Sequence, residues 1–208
     1  AYRRFHSTET ALQRVVSDLL TAMDNQSVSL LALLDLSAAF DCVDHTILLQ
    51  RLERTFGITD RALSWISSFL SDRTQQVSFG GMLSAIGRLI CGVPQGSVLG
   101  PLLFLLYTAA RFDLISEHGV TAHCYADDTQ TYLSCPAADA AAAADRVAAC
   151  IEHVDEWMGS NRMKMNPDKT QLIWIGTRQQ LAKIDISSLT LLSAAVPLSS
   201  TVTAQLIS

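Results

Sequence analysis

Two adjacent acids at the tip of a hairpin constrain this chain more than any other feature. Residues 120–134 read VTAHCYADDTQTYLS, with alternating side chains on both sides of Asp127-Asp128. Such alternation predicts strand, tight turn, strand. Two neighbouring carboxylates cannot both be buried as anions without a counter-charge. A divalent cation would supply that charge, and hard oxygen ligands favour Mg²⁺; the alternative is a solvated Asp-Asp turn.

A third carboxylate stands at the end of an apolar run. Residues 28–35 read VSLLALLD, a short run with polar boundaries, which predicts a buried strand ending at Asp35. If the hairpin lies beside this strand, Asp35, Asp127 and Asp128 could hold two Mg²⁺ ions about 3.5–4 Å apart, the arrangement for in-line phosphoryl transfer. The alternative is that Asp35 caps the helix that follows.

A glycine-rich loop precedes an apolar helix. Residues 92–97 read GVPQGS, and the glycines and proline predict a fixed loop that leads into a helix N-terminus. The exposed N–H groups of such a terminus favour anions such as phosphate. Gln95 would offer a donor and an acceptor to a ligand there. The alternative is an ordinary turn.

The rest of the chain mixes helices and strands irregularly, which predicts an α+β fold. Helical spacing of apolar residues predicts helices over residues 8–24, 44–55, 60–71, 98–107 and 137–162. Ser7 or Thr8 can cap the first helix, and Asp44 and Asp60 are candidate caps for the next two. A hairpin is predicted over 73–90 about Gly80-Gly81, and a final strand over 170–175.

Composition excludes several classes of protein. The 208 residues are 49% hydrophobic and 17% charged, the reverse of a disordered chain, and their number predicts one domain or one plus a fragment. No unbroken apolar run of about 20 residues and no secretory signal is visible, and the missing initiator Met suggests a start inside a larger reading frame. Five scattered cysteines without C-x-x-C predict reduced thiols rather than a zinc ribbon. The net charge of −5 argues mildly against a free-standing nucleic-acid binder.

Four segments in fixed order carry a family resemblance: LLALLDLSAAFDCVDH, GVPQGSVLGPLLFLLY, CYADDTQTYLS and NRMKMNPDKTQLIWIG. Over residues 2–196 the chain resembles the palm of reverse transcriptases of LINE-type, non-LTR retrotransposons, in the Jockey and chicken-repeat group. The resemblance implies an α+β palm, an antiparallel sheet backed by helices, with incomplete fingers and no thumb. It divides the chain into a remnant of the fingers and the start of the palm (1–27), the palm core (28–180) and a truncated tail (181–208), for which disorder is the alternative to a truncated element. The basic stretch 2–6 resembles the last part of the fingers.

The resemblance implies a catalytic centre. Asp35 and Asp127 match the principal ligands of two Mg²⁺ ions, for which Mn²⁺ is a possible substitute. Asp128 completes the acidic cluster, and the backbone carbonyl of Leu36 is a further candidate ligand. Lys169 matches the lysine that protonates the pyrophosphate leaving group; the alternatives are Lys164 in that role and a Lys169 that is only a solvated turn lysine.

The resemblance also implies substrate-binding residues. Phe40 matches the aromatic gate that would clash with a ribose 2′-OH and so favour dNTPs; the alternative is a core aromatic. Gln95 and Gly96 match the loop that packs on the incoming nucleotide and template. Tyr125 is expected near the primer end.

The implied function is RNA-directed DNA polymerase, a nucleotidyltransferase of the EC 2.7.7.49 type. Its expected partners are an RNA template, a DNA primer, dNTPs and the rest of a retrotransposon polyprotein, with no membrane. The expected location is intracellular, in the nucleus and in cytoplasmic ribonucleoprotein. Two alternatives remain: a catalytically dead remnant that at most binds RNA or a partner, and another two-metal phosphohydrolase on a similar palm.

Overall fold

The computed structural model describes residues 7–186, 188–192 and 194–199, which form two compact units. The first unit comprises Ala1–Ser37, Ala110–Gly159 and Lys164–Ser208, and the second comprises Ala38–Ala109 and Ser160–Met163. The basic stretch 2–6 lies outside the described residues. The proposed division of the chain at residues 27 and 180 stays a prediction.

Helices and strands alternate along the chain without a repeating unit. The helices are α1 (Thr8–Asp24), α2 (His45–Arg54), α3 (Asp60–Leu70), α4 (Leu99–Thr108), α5 (Arg111–Glu117), α6 (Ala140–Ser160) and α7 (Arg178–Leu181). The strands are β1 (Val28–Leu34), β2 (Thr74–Gln75), β3 (Ser78–Phe79), β4 (Met82–Leu83), β5 (Gly87–Arg88), β6 (Thr121–Tyr125), β7 (Asp128–Cys135), β8 (Gln171–Ile175), β9 (Ser188–Leu191) and β10 (Ala194–Ser199).

The first unit is built on a six-stranded sheet in the order β6-β7-β1-β8-β10-β9. All neighbours are antiparallel except β8 and β10, which are parallel. Leu34 at the end of β1 pairs with Thr129 near the start of β7. The end of β1 therefore lies beside the tip of the β6–β7 hairpin.

Helices cover this sheet because both sides of its central strand are apolar. On one side of the sheet, Val15 and Leu19 of α1 form a buried cluster with Leu31 and Tyr132. The alternate residues of β1 are also buried, and α5 packs on β6. The α+β class and the sheet backed by helices are confirmed.

The second unit is mainly helical. In it α2 packs against α3 and α4, with Leu48 and Leu52 of α2 fully buried. The Arg51 guanidinium donates to the Tyr107 carbonyl and, at 2.6 Å, to Asn161 Oδ1. Two short antiparallel pairs, β2–β5 and β3–β4, form the expected hairpin, and Gly80-Gly81 joins β3 to β4.

Of the predicted helix caps, Ser7 and Asp44 are confirmed and Asp60 is wrong. Ser7 caps α1 through a capping box, and Asp44 caps α2 through its Oδ1. The expectation for Asp60 is wrong: Thr59 is the N-cap of α3, and Asp60 is its first helical residue with φ +51°. The elements α5, α7, β9 and β10 were not predicted, because they are short and show no clear period.

One apolar stretch meets the size criterion for a membrane span. Leu99–Glu117 has 19 residues and a mean hydropathy of 1.3. Polar residues interrupt this stretch, so it is not an unbroken apolar run in the sequence. Core helices of soluble proteins meet the same criterion of length and composition. Leu103, Phe104 and Tyr107 on this stretch are buried within the protein.

Candidate active site

The acidic residues of the first unit meet because of strand register. Asp35 follows β1 directly, and Asp128 is the first residue of β7. Since Leu34 pairs with Thr129, the next residues along the two strands are Asp35 and Asp128. Opposite residues of antiparallel strands lie about 4.5–5.5 Å apart between Cα atoms. The strand end and the hairpin tip thus form one acidic edge.

The hairpin tip is a two-residue turn. Tyr125 pairs with Asp128, so Ala126 and Asp127 make the connection. Ala126 adopts φ +58°, as the first central residue of a type II′ turn does. Asp127 is half-buried and Asp128 exposed, so the turn presents its two carboxylates at the surface rather than in the core.

A turn before β8 brings a cation to the acidic edge. The Asn166 backbone N–H donates to the Asp35 carbonyl at 2.9 Å, and the Asn166 carbonyl accepts from the Lys169 and Thr170 N–H groups. The Asn166 side chain also accepts from the Asp168 N–H at 3.2 Å. This folded turn directs Lys169 Nζ to within 3.4 Å of Asp35 Oδ2.

The charges at this edge are unbalanced. The Asp128 residue is exposed to solvent, but nearby protein atoms partly desolvate its carboxyl and so raise its pKa. The charges of Asp127 and Asp35 raise that pKa further. Lys169 lowers that pKa, but as the smallest of the four effects. Among the described residues, Lys169 is the ammonium group that lies within ion-pair distance of this edge, and a further cation would be stabilised beside the three carboxylates.

The backbone of Leu36 faces the same edge. Leu36 forms an antiparallel bridge with Met165, in which the Asn166 N–H donates to Asp35 and the Ser37 N–H donates to Lys164. In such a pair the N–H and C=O of the bridged residue point away from its partner strand. The Leu36 carbonyl therefore points to the side of β1 on which β7 lies.

The side chains are not arranged as a closed metal site. In residues 7–186, 188–192 and 194–199, no three Asp, Glu, His or Cys side chains converge closely enough to hold one ion. Asp35 instead pairs with Lys169. The backbone positions of Asp35 and Asp128 are adjacent, and the Asp35 side chain is turned to Lys169 and Asn166.

The remaining predicted residues belong to the second unit, where two of the motifs meet. Phe40 stacks on the buried Phe104 ring, with 4.6 Å between centroids and 27° between planes. The Phe40 carbonyl accepts from the Val93 N–H at 2.8 Å, so the 92–97 loop runs along the Phe40 segment. Phe40 is half-buried, while Gln95 and Gly96 are exposed.

Glycines set the path of this loop. Gly92 has φ +86°, and a Cβ there would lie 3.0 Å from the Asp41 carbonyl oxygen. Gly96 has φ +78° with open space around it. The loop ends where Ser97 Oγ accepts from the Gly100 N–H at 2.9 Å, which satisfies a donor at the start of α4. The loop therefore leads into a helix start, as expected.

Two residues of the first unit bear on the site although sequence reasoning missed them. Asn166 contacts Asp35 through its backbone and, at 3.5 Å, through its side chain. The Asn-Pro-Asp turn signature was the available signal for this residue. Arg111 donates to the Ala126 carbonyl at 3.2 Å, and no local pattern marks that contact.

Comparison with known proteins finds relatives of similar sequence. The 32%-identical "RNA-directed DNA polymerase from mobile element jockey" of Drosophila melanogaster matches 85% of this chain, and the match spans 19% of that protein. The "Probable RNA-directed DNA polymerase from transposon X-element" of the same species is 38% identical over 51% of the chain and 12% of its own length. The chain thus spans about a fifth or less of the curated relatives it matches.

A solved structure shares the fold. An apo telomerase from Candida tropicalis superposes with a TM-score of 0.62 at 17% identity, over 92% of this chain and 39% of the telomerase. The family model "Reverse transcriptase (RNA-dependent DNA polymerase)" matches residues 1–189. Because this family model covers nine tenths of the sequence, the chain belongs to the reverse transcriptase family.

Proposed function

We propose that this chain is the palm of an RNA-directed DNA polymerase that transfers a nucleotide from a dNTP to a primer 3′-OH. The observation that carries the proposal is the placement of Asp35 beside Asp128 at one sheet edge, with Lys169 Nζ 3.4 Å from Asp35. In the reaction the primer 3′-hydroxyl loses its proton to water, its oxygen forms a bond to the α-phosphorus, and the bond from that phosphorus to the bridging oxygen breaks. Pyrophosphate leaves.

The oxygen donors of the acidic edge are chemically suited to divalent cations, although its side chains do not converge on one ion position in this structure. Its donors are the carboxylates of Asp35, Asp127 and Asp128 and the carbonyl of Leu36, all hard oxygen atoms of the kind that Mg²⁺ prefers. Partial burial raises the pKa of the Asp128 carboxyl, and the neighbouring charges of Asp127 and Asp35 raise it further, which is the effect that a bound cation would offset. Two bound Mg²⁺ ions, or Mn²⁺ in their place, would supply charge neutralisation at the α-phosphate and activation of the primer hydroxyl.

Lys169 is the proposed proton donor. Its side chain is 67% exposed, which leaves it accessible to a leaving pyrophosphate, and Asp35 together with the 166–170 turn keeps Nζ at the acidic edge. A proton held at Nζ would neutralise the charge that develops on the leaving oxygen. General acids placed in this way contribute about 10²–10⁴-fold to rate.

Phe40, Gln95, Gly96 and Tyr125 are the proposed substrate-binding residues. Stacking on Phe104 keeps the Phe40 ring in one orientation, which a gate against the 2′-OH requires. Gln95 and Gly96 are exposed and free to contact nucleotide and template. Tyr125 pairs with Asp128 and is proposed to contact the primer end. Phe40→Ala should incorporate ribonucleotides at least about tenfold more readily relative to dNTPs than the wild type, the range of one steric discrimination.

We further propose an RNA template and a DNA primer as partners, and a location inside the cell, in the nucleus and in cytoplasmic ribonucleoprotein. All five cysteines are free thiols, which favours a reducing compartment. Imaging and fractionation of the tagged chain in cells would test the location. Recovery of the chain from the culture medium would contradict it.

Primer extension tests the activity. The purified chain is incubated with poly(rA)–oligo(dT), dTTP and Mg²⁺ or Mn²⁺, beside Asp127→Asn and a matched control, Asp145→Asn, which changes an exposed acid on α6. We expect extension by the wild type and the control, and a loss of at least about a thousandfold in Asp127→Asn. Equal extension by Asp127→Asn would refute the role of Asp127. No extension by any protein, even with Mn²⁺, would favour the catalytically dead remnant.

A further inference from the structure

A buried arginine lies behind the acidic turn, the Ala126-Asp127 connection between β6 and β7. Arg111, the first residue of α5, is 0% exposed, although arginine is among the residues least often buried. It shares the buried face of α5 with Ile115, four residues later, and α5 packs on β6. The guanidinium thus lies inside the first unit, against the strand that leads into the acidic turn.

The only partner that the structure assigns to this guanidinium by hydrogen bonding, within the described residues, is the turn itself. Nη2 donates to the Ala126 carbonyl at 3.2 Å. Nε and Nη1 are buried and have no hydrogen-bond partner among those residues. The Phe112 ring centroid lies 5.6 Å from the guanidinium carbon.

Stability does not explain an arginine at this position. A buried guanidinium with two unsatisfied nitrogens is costly, and an aliphatic side chain of similar volume would pack at lower cost. Arg51 in the second unit shows the usual solution, with two of its nitrogens donating to the Tyr107 carbonyl and to Asn161. Arg111 keeps a costly arrangement and makes one bond, to the residue that precedes Asp127.

That bond falls on a strained residue. Ala126 has φ +58°, a conformation that a non-glycine residue rarely adopts unless its surroundings hold it. The peptide that begins at the Ala126 carbonyl continues into Asp127 and Asp128. A donor fixed to this carbonyl therefore restricts the rotation of the peptide that aims the two carboxylates.

We propose that Arg111 is a positioning residue that holds the Ala126-Asp127 turn so that its carboxylates face the acidic edge in one orientation. The inference rests on the proposed function, in which those carboxylates bind divalent cations. Arg111 itself touches neither substrate nor metal. Its effect is transmitted through one hydrogen bond to the backbone.

Hydrogen exchange tests this directly, without any need for activity. Arg111→Met keeps an unbranched side chain and removes the donor. We expect amide exchange over residues 124–130 to accelerate about tenfold, as for the loss of one hydrogen bond from a charged donor. Exchange in the paired centre of β1 and β8 should stay unchanged, and the unfolding midpoint should stay equal or rise. Unchanged exchange at the turn would overturn the proposal.

Two further variants separate positioning from packing. Ile115→Val removes one methylene group from the same buried face, and should lower the unfolding midpoint without selective acceleration at the turn. Arg111→Lys keeps the charge and one donor, and should fall between the wild type and Arg111→Met. It also keeps the test decisive if Arg111→Met does not fold. Equal acceleration at the turn in Ile115→Val would assign Arg111 to packing alone.

Metal binding and primer extension complete the test. Mn²⁺ binding, measured by electron paramagnetic resonance on the chain alone, should weaken at least about threefold in Arg111→Met and by less in Arg111→Lys. If the wild type binds Mn²⁺ but does not extend a primer, the proposed activity fails while the exchange and binding results still decide the role of Arg111. Faster exchange at the turn with unchanged Mn²⁺ affinity would overturn the link between the turn and the cation.

Discussion

Two glycines of the 92–97 loop provide the sharpest test of the structure, because the same substitution should have different effects at each. Gly96→Ala adds a methyl group into open space, and its only cost is φ +78°. That conformation costs an alanine about 1 kcal/mol. Gly92→Ala has a similar cost from φ +86°, and its Cβ would also lie 3.0 Å from the Asp41 carbonyl oxygen, a backbone atom with little freedom to move.

The contact at Gly92 adds to the backbone cost. To relieve the contact between the new Cβ and the Asp41 carbonyl oxygen, the loop would have to shift. That shift would weaken the 2.8 Å hydrogen bonds that the Gly92 and Val93 N–H groups donate to the Val43 and Phe40 carbonyls. Overpacking of this kind costs about 1–3 kcal/mol, which brings the expected loss for Gly92→Ala to about 2–4 kcal/mol. The two variants should therefore differ by at least about 1 kcal/mol.

Urea unfolding followed by far-ultraviolet circular dichroism measures the difference, and a thermal scan provides a second estimate. For a chain of 208 residues, each 1 kcal/mol corresponds to about 2–4 °C in Tm. We expect a loss of about 2–4 °C for Gly96→Ala and at least twice that for Gly92→Ala. Equal losses would refute the argument that the Asp41 carbonyl fixes the position of the loop.

Three further outcomes follow from other parts of the molecule. Lys169→Met should reduce primer extension by about 10²-fold. It should change the free energy of unfolding by less than about 1 kcal/mol, because the Lys169 side chain is largely exposed. A stability loss large enough to account for the lost extension would contradict the proton-donor role. Tyr132→Phe should cost about 1.5–3 kcal/mol near neutral pH by removing the 2.5 Å bond from the buried phenol to Asp18 Oδ2. Burial, followed by Asp18, raises the pKa of Tyr132. Its ionisation in the unfolded chain should therefore make the wild type lose stability as pH rises above about 10, and a Tyr132→Phe variant with the same alkaline slope in urea titrations would exclude this cause. Burial also raises the pKa of the Cys150 thiol to about 11, so a thiol reagent at pH 8 should label exposed Cys91 first and Cys150 last, as peptide mass spectrometry of timed samples would record.

Local sequence predicted the structure correctly where one capping side chain or one regular spacing of apolar residues determines it. The helix of α1 and its Ser7 cap, the strand β1 and the Asp44 cap of α2 all agree with prediction. They depend on apolar spacing and on neighbours within four residues. The Asp60 cap was wrong because Thr59 and Asp60 are both acceptable cap residues, and no local rule separates them.

In the candidate site, too, local features could be predicted and contacts between distant segments could not. The identity of Asp35, Asp127 and Asp128, and the tight turn that carries two of them, could be inferred from strand patterns and motif order. The pairing of Asp35 with Lys169 could not, because 134 positions of the sequence separate the two and only the folding of the 166–170 turn beside β1 joins them. The roles of these residues in catalysis stay predictions.

Sequence alone determined the family of this protein, its mixed fold class and the acids at its strand end and hairpin tip, because local periodicity and the order of short motifs encode them. Tertiary structure decided the register that sets Asp35 against Asp128. It also decided the burial of Arg111, whose charged side chain would by itself predict a position at the surface. Both depend on contacts between segments distant in the chain, and the free energy of such contacts comes from packing and hydrogen bonds that no single segment contains.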